Sequence, residues 1–337
     1  MAAGCAAILC ALLAFAYNPE QDRVNGAAVP THWENNAVTW NLDPTLGKNV
    51  STTGGPSVQA LLTAAFSSWQ NAQLTLNGAA TTVDQLTITL GQVSSTLPAN
   101  ADAADCLNVI GFTDSVKSDF PTGTIAFTQI STVTPPPGPP TPYTCTAPPT
   151  ARTCTLNSCL ADADIEFNPA QNFSTASPPP TNDFSVQSIA THEIGHMLGL
   201  DHSGLANAVM YPFGDTGLTT QSNLSTDDAA GIAFLYPVKN FSSITGALSG
   251  TVTQGGAGIF EAHVLAIDAG TGDVVADGIT APDGTYSIAG LPPASYNVLV
   301  LPLAGVYDHT NFNGWECGYN INCAPVPGPV NYTGTFH

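Results

Sequence analysis

The chain has 337 residues, 43% of them hydrophobic, which is enough for one large domain or two ordinary ones with true cores. Asp and Glu number 25 against 5 Lys and Arg, a formal net charge of −20 that argues against nucleic acid and anionic membrane surfaces as partners. Only 9% of residues are charged, far below the roughly 25% of an average domain, so Ser, Thr, Asn and Gly must carry the surface, as expected of an extracellular protein.

The N-terminal stretch MAAGCAAILCALLAFA is apolar and shorter than the ~20 residues a membrane span needs. It ends in Ala14-Phe15-Ala16, a small-x-small cleavage pattern, so residues 1–16 read as a signal peptide. The missing basic n-region marks either a truncated or misread start or, as the competing reading, a buried N-terminal helix. Cleavage after Ala16 would remove Cys5 and Cys10 and leave six cysteines, an even number expected to form disulfides in an exported chain. Cys317 and Cys323 are expected to pair locally. Cys106, Cys145, Cys154 and Cys159 would form two bridges, with three connectivities open. None shows C-x-x-C spacing, so a cysteine zinc site is not expected.

The alternation from Ala37 to Asp43 predicts a strand. In VQALLTAAFSSWQNA, which follows, Val58, Leu61, Leu62, Ala65, Phe66 and Trp69 recur at helical spacing and predict a helix with one buried face. Leu86–Val93, Gly123–Ile130 and Ala161–Asn168 predict three further strands. In the last, Asp162, Asp164 and Glu166 share one face and Ala163, Ile165 and Phe167 the other. That acidic face reads as solvent-exposed, with calcium binding through its carboxylates as the less favoured alternative. The proline-rich segment 131–158 cannot join a sheet ladder and reads as an insertion loop tied by its cysteines.

A second proline-rich loop, STASPPPTND, precedes a helix expected from about Val186 to Leu198. Ser185 or Asp183 would cap it, and Gly199 would end it in a left-handed conformation. LSTDDAAGIAFLYP predicts another helix, with Ser225 at the N-cap, Asp228 completing an acidic variant of the capping box, and Pro237 as the stop. Residues 32–237 are thus expected to form an α+β domain, a mixed twisted sheet with three helices. From Ile244 to Leu303 helical periodicity vanishes, and short β-rich runs between Gly, Pro and Asp turns predict a small all-β sandwich over 244–304. Residues 305–337, rich in Gly, Asn and Pro, read as an irregular tail without a structural stop, as in a chain that continues further.

Within the predicted helix and its exit lies HEIGHMLGLDH, His192 to His202. His192 and His196 are one turn apart on one helix face, so both imidazoles can reach a single ion at the ~2.0–2.1 Å of a Zn–N bond. Glu193 projects beside them, Gly199 permits the sharp turn, and His202 returns as a third ligand. Three neutral imidazoles leave the ion its full charge and an open fourth position, the arrangement of a catalytic rather than a structural site. H-E-x-x-H alone arises by chance in helices; Gly199 and His202 at the right offsets turn it into the extended metzincin signature.

THEIGHMLGLDHS, followed by AVMYP and LSTDDAAGIAFLYP, resembles the matrixins, the matrix-metalloproteinase-like branch of the metzincins. The resemblance covers Trp33 to Pro237 and is sharp from Ile189 onward. It implies a metzincin fold and one catalytic zinc ion on His192, His196 and His202. Glu193 would serve as the base that activates the zinc-bound water. The resemblance also implies that Met210 lies beneath the metal in the Met-turn, and that Tyr211 and Pro212 wall the pocket for the side chain after the scissile bond. Ser188 would lie near the floor of that pocket, taken to be roomy and apolar-accepting. TGTIAFTQI resembles the family's edge strand, so Thr124, Ile125, Ala126 and Phe127 would pair with an extended substrate.

Departures are visible too. No cysteine-switch segment precedes the first strand, and GFTDSVKSDFPTGTIAFTQI lacks the histidines of the matrixin structural zinc, so a second zinc ion is not expected. His32, His263, His309 and His337 lack partner spacing and read as surface or loop residues. GTYSIAGLPPASYNVLV resembles the carboxypeptidase-regulatory-like, prealbumin-type sandwich, which would serve as a spacer, a substrate-binding accessory or a stabilising support. The expected function is that of a secreted zinc-dependent endopeptidase acting on protein or peptide substrates. An inactive protease-like domain in an extracellular binding or adhesion protein competes with it, and a structural metal module ranks third. Nothing in the sequence fixes an oligomeric state.

Overall fold

The structure is a computed structural model that describes residues 18–24, 27–97, 105–113, 120–134, 141–146, 149–303, 311 and 335–336. The expected signal peptide, the Cys317–Cys323 pair, His309, His337 and nearly all of the tail lie outside the described residues. No helix among the described residues is long and apolar enough to cross a membrane.

Five strands, β1 (Ala37–Leu42), β2 (Thr87–Val93), β3 (Val109–Gly111), β4 (Ala126–Val133) and β5 (Cys159–Phe167), form one sheet in the order β4-β5-β3-β1-β2. Neighbours within β5-β3-β1-β2 run parallel, and β4 pairs antiparallel with β5 at the edge. His32–Trp33 pairs with the start of β5. Helix α1 (Val58–Gln70) buries the predicted stripe of Val58, Leu61, Leu62, Ala65, Phe66 and Trp69. Phe66 stacks on Trp40 of β1 with ring centroids 4.5 Å apart. Helix α2 (Val186–Met197) packs against α1, β4 and β5, and α3 (Thr226–Leu235) follows with Ser225 and Asp228 forming the predicted capping box.

Three sequence expectations change here. The acidic side chains of β5 are buried, with Asp162, Asp164 and Glu166 no more than 3% exposed. Segment 105–109 covers the two aspartates. Asp162 accepts the main-chain N–H groups of Cys106 (2.8 Å) and Asn108 (3.3 Å), and Asp164 that of Val109 (2.6 Å). The alternation identified the residues that share a face; the burial of that face came from a segment more than 50 residues away. Those oxygens are engaged by main-chain donors, and among the described residues the three carboxylates form no cluster of metal-ligating atoms. Segment 131–158 is not only loop: Thr141–Thr146 and Pro149–Cys154 form an antiparallel ribbon. A two-stranded ribbon has two open edges, and that is where Pro142 and Pro149 can be accommodated. Finally, β3 and the hairpin of Gln73–Leu76 with Ala79–Thr82 had no counterpart in the sequence reading. Cys106 bridges Cys145, and Cys154 bridges Cys159, one of the three connectivities left open.

Beyond α3 come β6 (Gly246–Thr251), β7 (Ala262–Asp268), β8 (Val274–Ile279), β9 (Thr285–Leu291) and β10 (Tyr296–Pro302). β6 pairs with β9, and β8, β7, β10 and the short strand Thr335–Phe336 form, in that order, a second sheet, all antiparallel. This β-domain does not hang on a tether. β8 and β9 pack on α3. Leu265 and Ile267 of β7 cluster with Leu205 and Ala208, which lie just beyond the histidine motif. His263, read as a surface or loop residue, is 7% exposed on β7.

Candidate metal and catalytic centre

Ser185 caps α2 by accepting the Ser188 N–H at 3.2 Å. The helix then carries His192 and His196 into register, with their Nε2 atoms 3.2 Å apart. At its C-terminus Leu200 N donates to Gly195 O (3.0 Å) and Gly199 N to His196 O (2.9 Å), a Schellman stop with Gly199 at φ +96°. The helix's remaining carbonyls are satisfied from far along the chain. The Trp33 indole N–H donates to Met197 O at 2.7 Å, and the Tyr236 hydroxyl to Leu198 O at 2.7 Å. The turn swings His202 back, so that its ring centroid lies 4.8 Å from that of His196 and 5.3 Å from that of His192.

Each imidazole places Nδ1 on a main-chain carbonyl: His192 on Val209 O (2.7 Å), His196 on Leu200 O (2.8 Å) and His202 on Asn311 O (2.6 Å). A carbonyl only accepts, so the proton sits on Nδ1 and the Nε2 lone pairs are left to converge. One ligand atom from each ring lies within 4.8 Å of the others. Burial, reinforced by the His202 ring, lowers the His192 pKa to about 3. Burial brings His202 to about 4 and His196 well below its ordinary value. The rings are therefore neutral at physiological pH. Three neutral, preoriented nitrogen donors with their outer nitrogens hydrogen-bonded fit a zinc ion.

Glu193 lies beside them, buried at 5% exposure. Burial raises its pKa to about 7, against the opposing effect of a hydrogen bond from Thr128 Oγ1 to Oε2 at 2.7 Å. Thr128 belongs to β4, so the edge strand touches the carboxylate directly. Met210 sits beneath α2, and a Cβ placed on Gly195 would come 2.1 Å from its Sδ. The turn holding Met210 is fixed by Asp228, which accepts Val209 N (2.8 Å) and Met210 N (3.1 Å). Gln221 braces the same turn through Nε2, at 3.0 Å from Val209 O and 2.6 Å from Tyr211 O. Outside the histidines, Glu20 N donates to Gly199 O (2.9 Å) and Asp201 N to Asn18 O (2.6 Å), so residues 18–20 strap the ligand turn.

The centre opens into a cleft of about 970 Å³ lined by His192, Glu193, His196 and His202 together with Thr124, Ile125, Ala126, Phe127, Tyr211 and Pro212. Ser188 is not among the lining residues; it is buried, with its hydroxyl 2.8 Å from that of Ser222. Gln221, Phe213 and Gly214 line the cleft instead. The sequence reading missed Gly195, Thr128, Gln221 and the 18–20 strap. Only Gly195 left a local signal, a glycine within a buried helix.

Residues 150–237 match the profile of the matrixin family. Metalloendoproteinase 1 of Glycine max is 45% identical over 80 residues, 24% of this chain and 25% of that protein. Metalloendoproteinase 2-MMP of Arabidopsis thaliana is 42% identical over 78 residues, 23% and 20% of the two chains. Matrilysin of Homo sapiens is 53% identical over 47 residues, 14% and 18%. The chain thus spans a quarter or less of the length of these curated relatives.

Proposed function

We propose that this chain is a zinc-dependent endopeptidase of the matrixin type that hydrolyses peptide bonds in extended protein substrates outside the cell. The observation that carries it is the convergence of three preoriented imidazoles beside a buried carboxylate, in a cleft bounded by a sheet edge. His192, His196 and His202 would hold the ion through Nε2. When bound, zinc supplies a Lewis acid that polarises a carbonyl and lowers the pKa of a coordinated water to about 7.

The chain's own groups supply the rest. Glu193, with a pKa near 7, is matched to accept a proton on its carboxylate from the attacking water and to return it to the leaving amine. Thr128 fixes the direction of that carboxylate. Among the described residues β4 ends the sheet with β5 as its one neighbour, so its outer edge can pair with an extended peptide. Ile125, Ile189 and Phe213 give the cleft apolar walls, consistent with an apolar side chain after the scissile bond. The two disulfides suit an oxidising compartment and support export. The prealbumin-type assignment of the β-domain remains part of this proposal and draws on its two antiparallel sheets.

The test is cleavage of casein by the purified chain, with and without chelator. Wild type is expected to cleave and to lose activity on chelation; Glu193→Ala is expected to keep its zinc in metal analysis and lose nearly all turnover. Zinc-independent cleavage, or full activity in Glu193→Ala, overturns the assignment.

A further inference from the structure

We propose that Asp277 of the β-domain is a positioning residue for His202, which makes the β-domain a built-in part of the metal centre. The inference rests on the reading of the three histidines as metal ligands.

His192 and His196 ride on a helix and are oriented by it. His202 rides on an irregular turn, whose position must come from whatever packs around it. Asp277 is 0% exposed on β8. Its Oδ1 accepts the Ser203 hydroxyl at 3.2 Å and its Oδ2 the Gly204 N–H at 2.8 Å, the two residues that directly follow the third histidine. His263 Nε2 of β7 lies 2.6 Å from Oδ2 and holds the carboxylate from within the β-domain. The Asp277 N–H donates to Asp227 Oδ1 at 3.0 Å, at the start of α3. Asp228, the next residue, holds the Val209–Met210 turn. A buried carboxylate accepting from a hydroxyl and a main-chain N–H makes charge-assisted, directional bonds.

An independent contact points the same way. The ring of His202 is oriented by Asn311 O, again from chain beyond α3. Leu205 and Ala208, on the same turn, are covered by Leu265 and Ile267 of β7. The His202 main chain is held by Asn18 Nδ2 at 2.6 Å and Asp201 Oδ1 at 2.7 Å, whereas its ring and the two residues that follow it are referenced to the C-terminal part of the molecule.

The test uses the full chain and reads zinc affinity by competition with a chromophoric chelator, together with the visible spectrum of the cobalt-substituted protein. Asp277→Ala is expected to weaken zinc binding by about 10- to 100-fold, the range for loss of a group that orients a metal ligand, and to alter the cobalt spectrum. Ile288→Ala, a cavity in the β-domain core at a fully buried position, is the control: it should lower the melting temperature and leave zinc affinity and spectrum unchanged. Wild-type zinc affinity in Asp277→Ala overturns the proposal, as does an equal loss in both variants at matched loss of stability. Should Asp277→Ala fail to fold, Ser203→Ala decides: a few-fold weaker zinc binding supports the role, and unchanged binding refutes it. A wild-type chain that binds no zinc defeats the three-histidine reading itself, an outcome separate from tight binding that is indifferent to Asp277.

Discussion

Gly199→Ala perturbs the turn between the second and third imidazoles at a point where two costs can be separated. Gly199 has φ +96°, and an added Cβ would lie 2.5 Å from the carbonyl oxygen of Thr31. The left-handed backbone costs an L-residue roughly 1–2 kcal/mol. The contact cannot be relieved by a rotamer change, because the obstacle is main chain: Thr31 is 1% exposed and its N–H is bonded to Glu20 O at 2.9 Å. Forcing that backbone aside adds about 1–3 kcal/mol, as for an overpacked core. The sum, about 3 kcal/mol, corresponds to a fall of roughly 6–12 °C in melting temperature for a protein of this size class. Gly54→Ala is the reference, since Gly54 has φ +78° and open space around the added carbon. It carries the conformational cost alone, about 1.5 kcal/mol, and should lose roughly 3–6 °C. Melting curves of the two variants, with zinc and with chelator, make the comparison. Zinc should stabilise Gly199→Ala less than wild type, because the displaced turn carries Leu200 O, which orients His196. A Gly199→Ala protein that melts no lower than Gly54→Ala, or gains as much from zinc as wild type, refutes the reasoning.

Two other outcomes are expected. Thr128→Val removes the hydroxyl on Glu193 with little change of shape; kcat should fall about 10-fold, the worth of one such hydrogen bond, with zinc content and KM unchanged, and steady-state kinetics with metal analysis would expose an error. Asp84 is 5% exposed, and burial raises its pKa from 3.8 to about 6. Because the folded-state value is the higher one, the buried charge costs stability that grows from about pH 4 and is complete above about pH 6. Asp84→Asn should therefore melt higher than wild type at pH 7.5, by about 1 kcal/mol after solvent screening, and equally at pH 4; a pH-independent difference would contradict this.

How much of this was legible in the sequence follows from what is local. The cap, span and stop of α2 sit within fifteen residues; His192, His196 and Gly199 could each be assigned from spacing, and Ser185 was one of two candidate caps. That His202 returns toward His192 and His196 was readable from the same turn; the Asn311 carbonyl that orients its ring, 109 residues on, was not. The covering of Asp162 and Asp164 by segment 105–109 was not, because alternation gives faces and says nothing of what lies over them. β3 is three residues long, too short to show a period. His263 and Asp277 are 14 residues apart in sequence and have no pattern in common; antiparallel pairing of β7 with β8 brings them together. Ser188 was placed by resemblance, and the structure gives its hydroxyl to Ser222 instead of the cleft.

The bond from His202 to Asn311 spans 109 residues. Ribosomes extend chains at about 5–20 residues per second, so all three imidazoles are made roughly 5 to 20 s before the carbonyl that orients the last of them. During that interval the nascent polypeptide carries His192, His196 and His202 without the finished arrangement. Synthesis order alone thus leaves the third imidazole without its main-chain partner until residue 311 has been made.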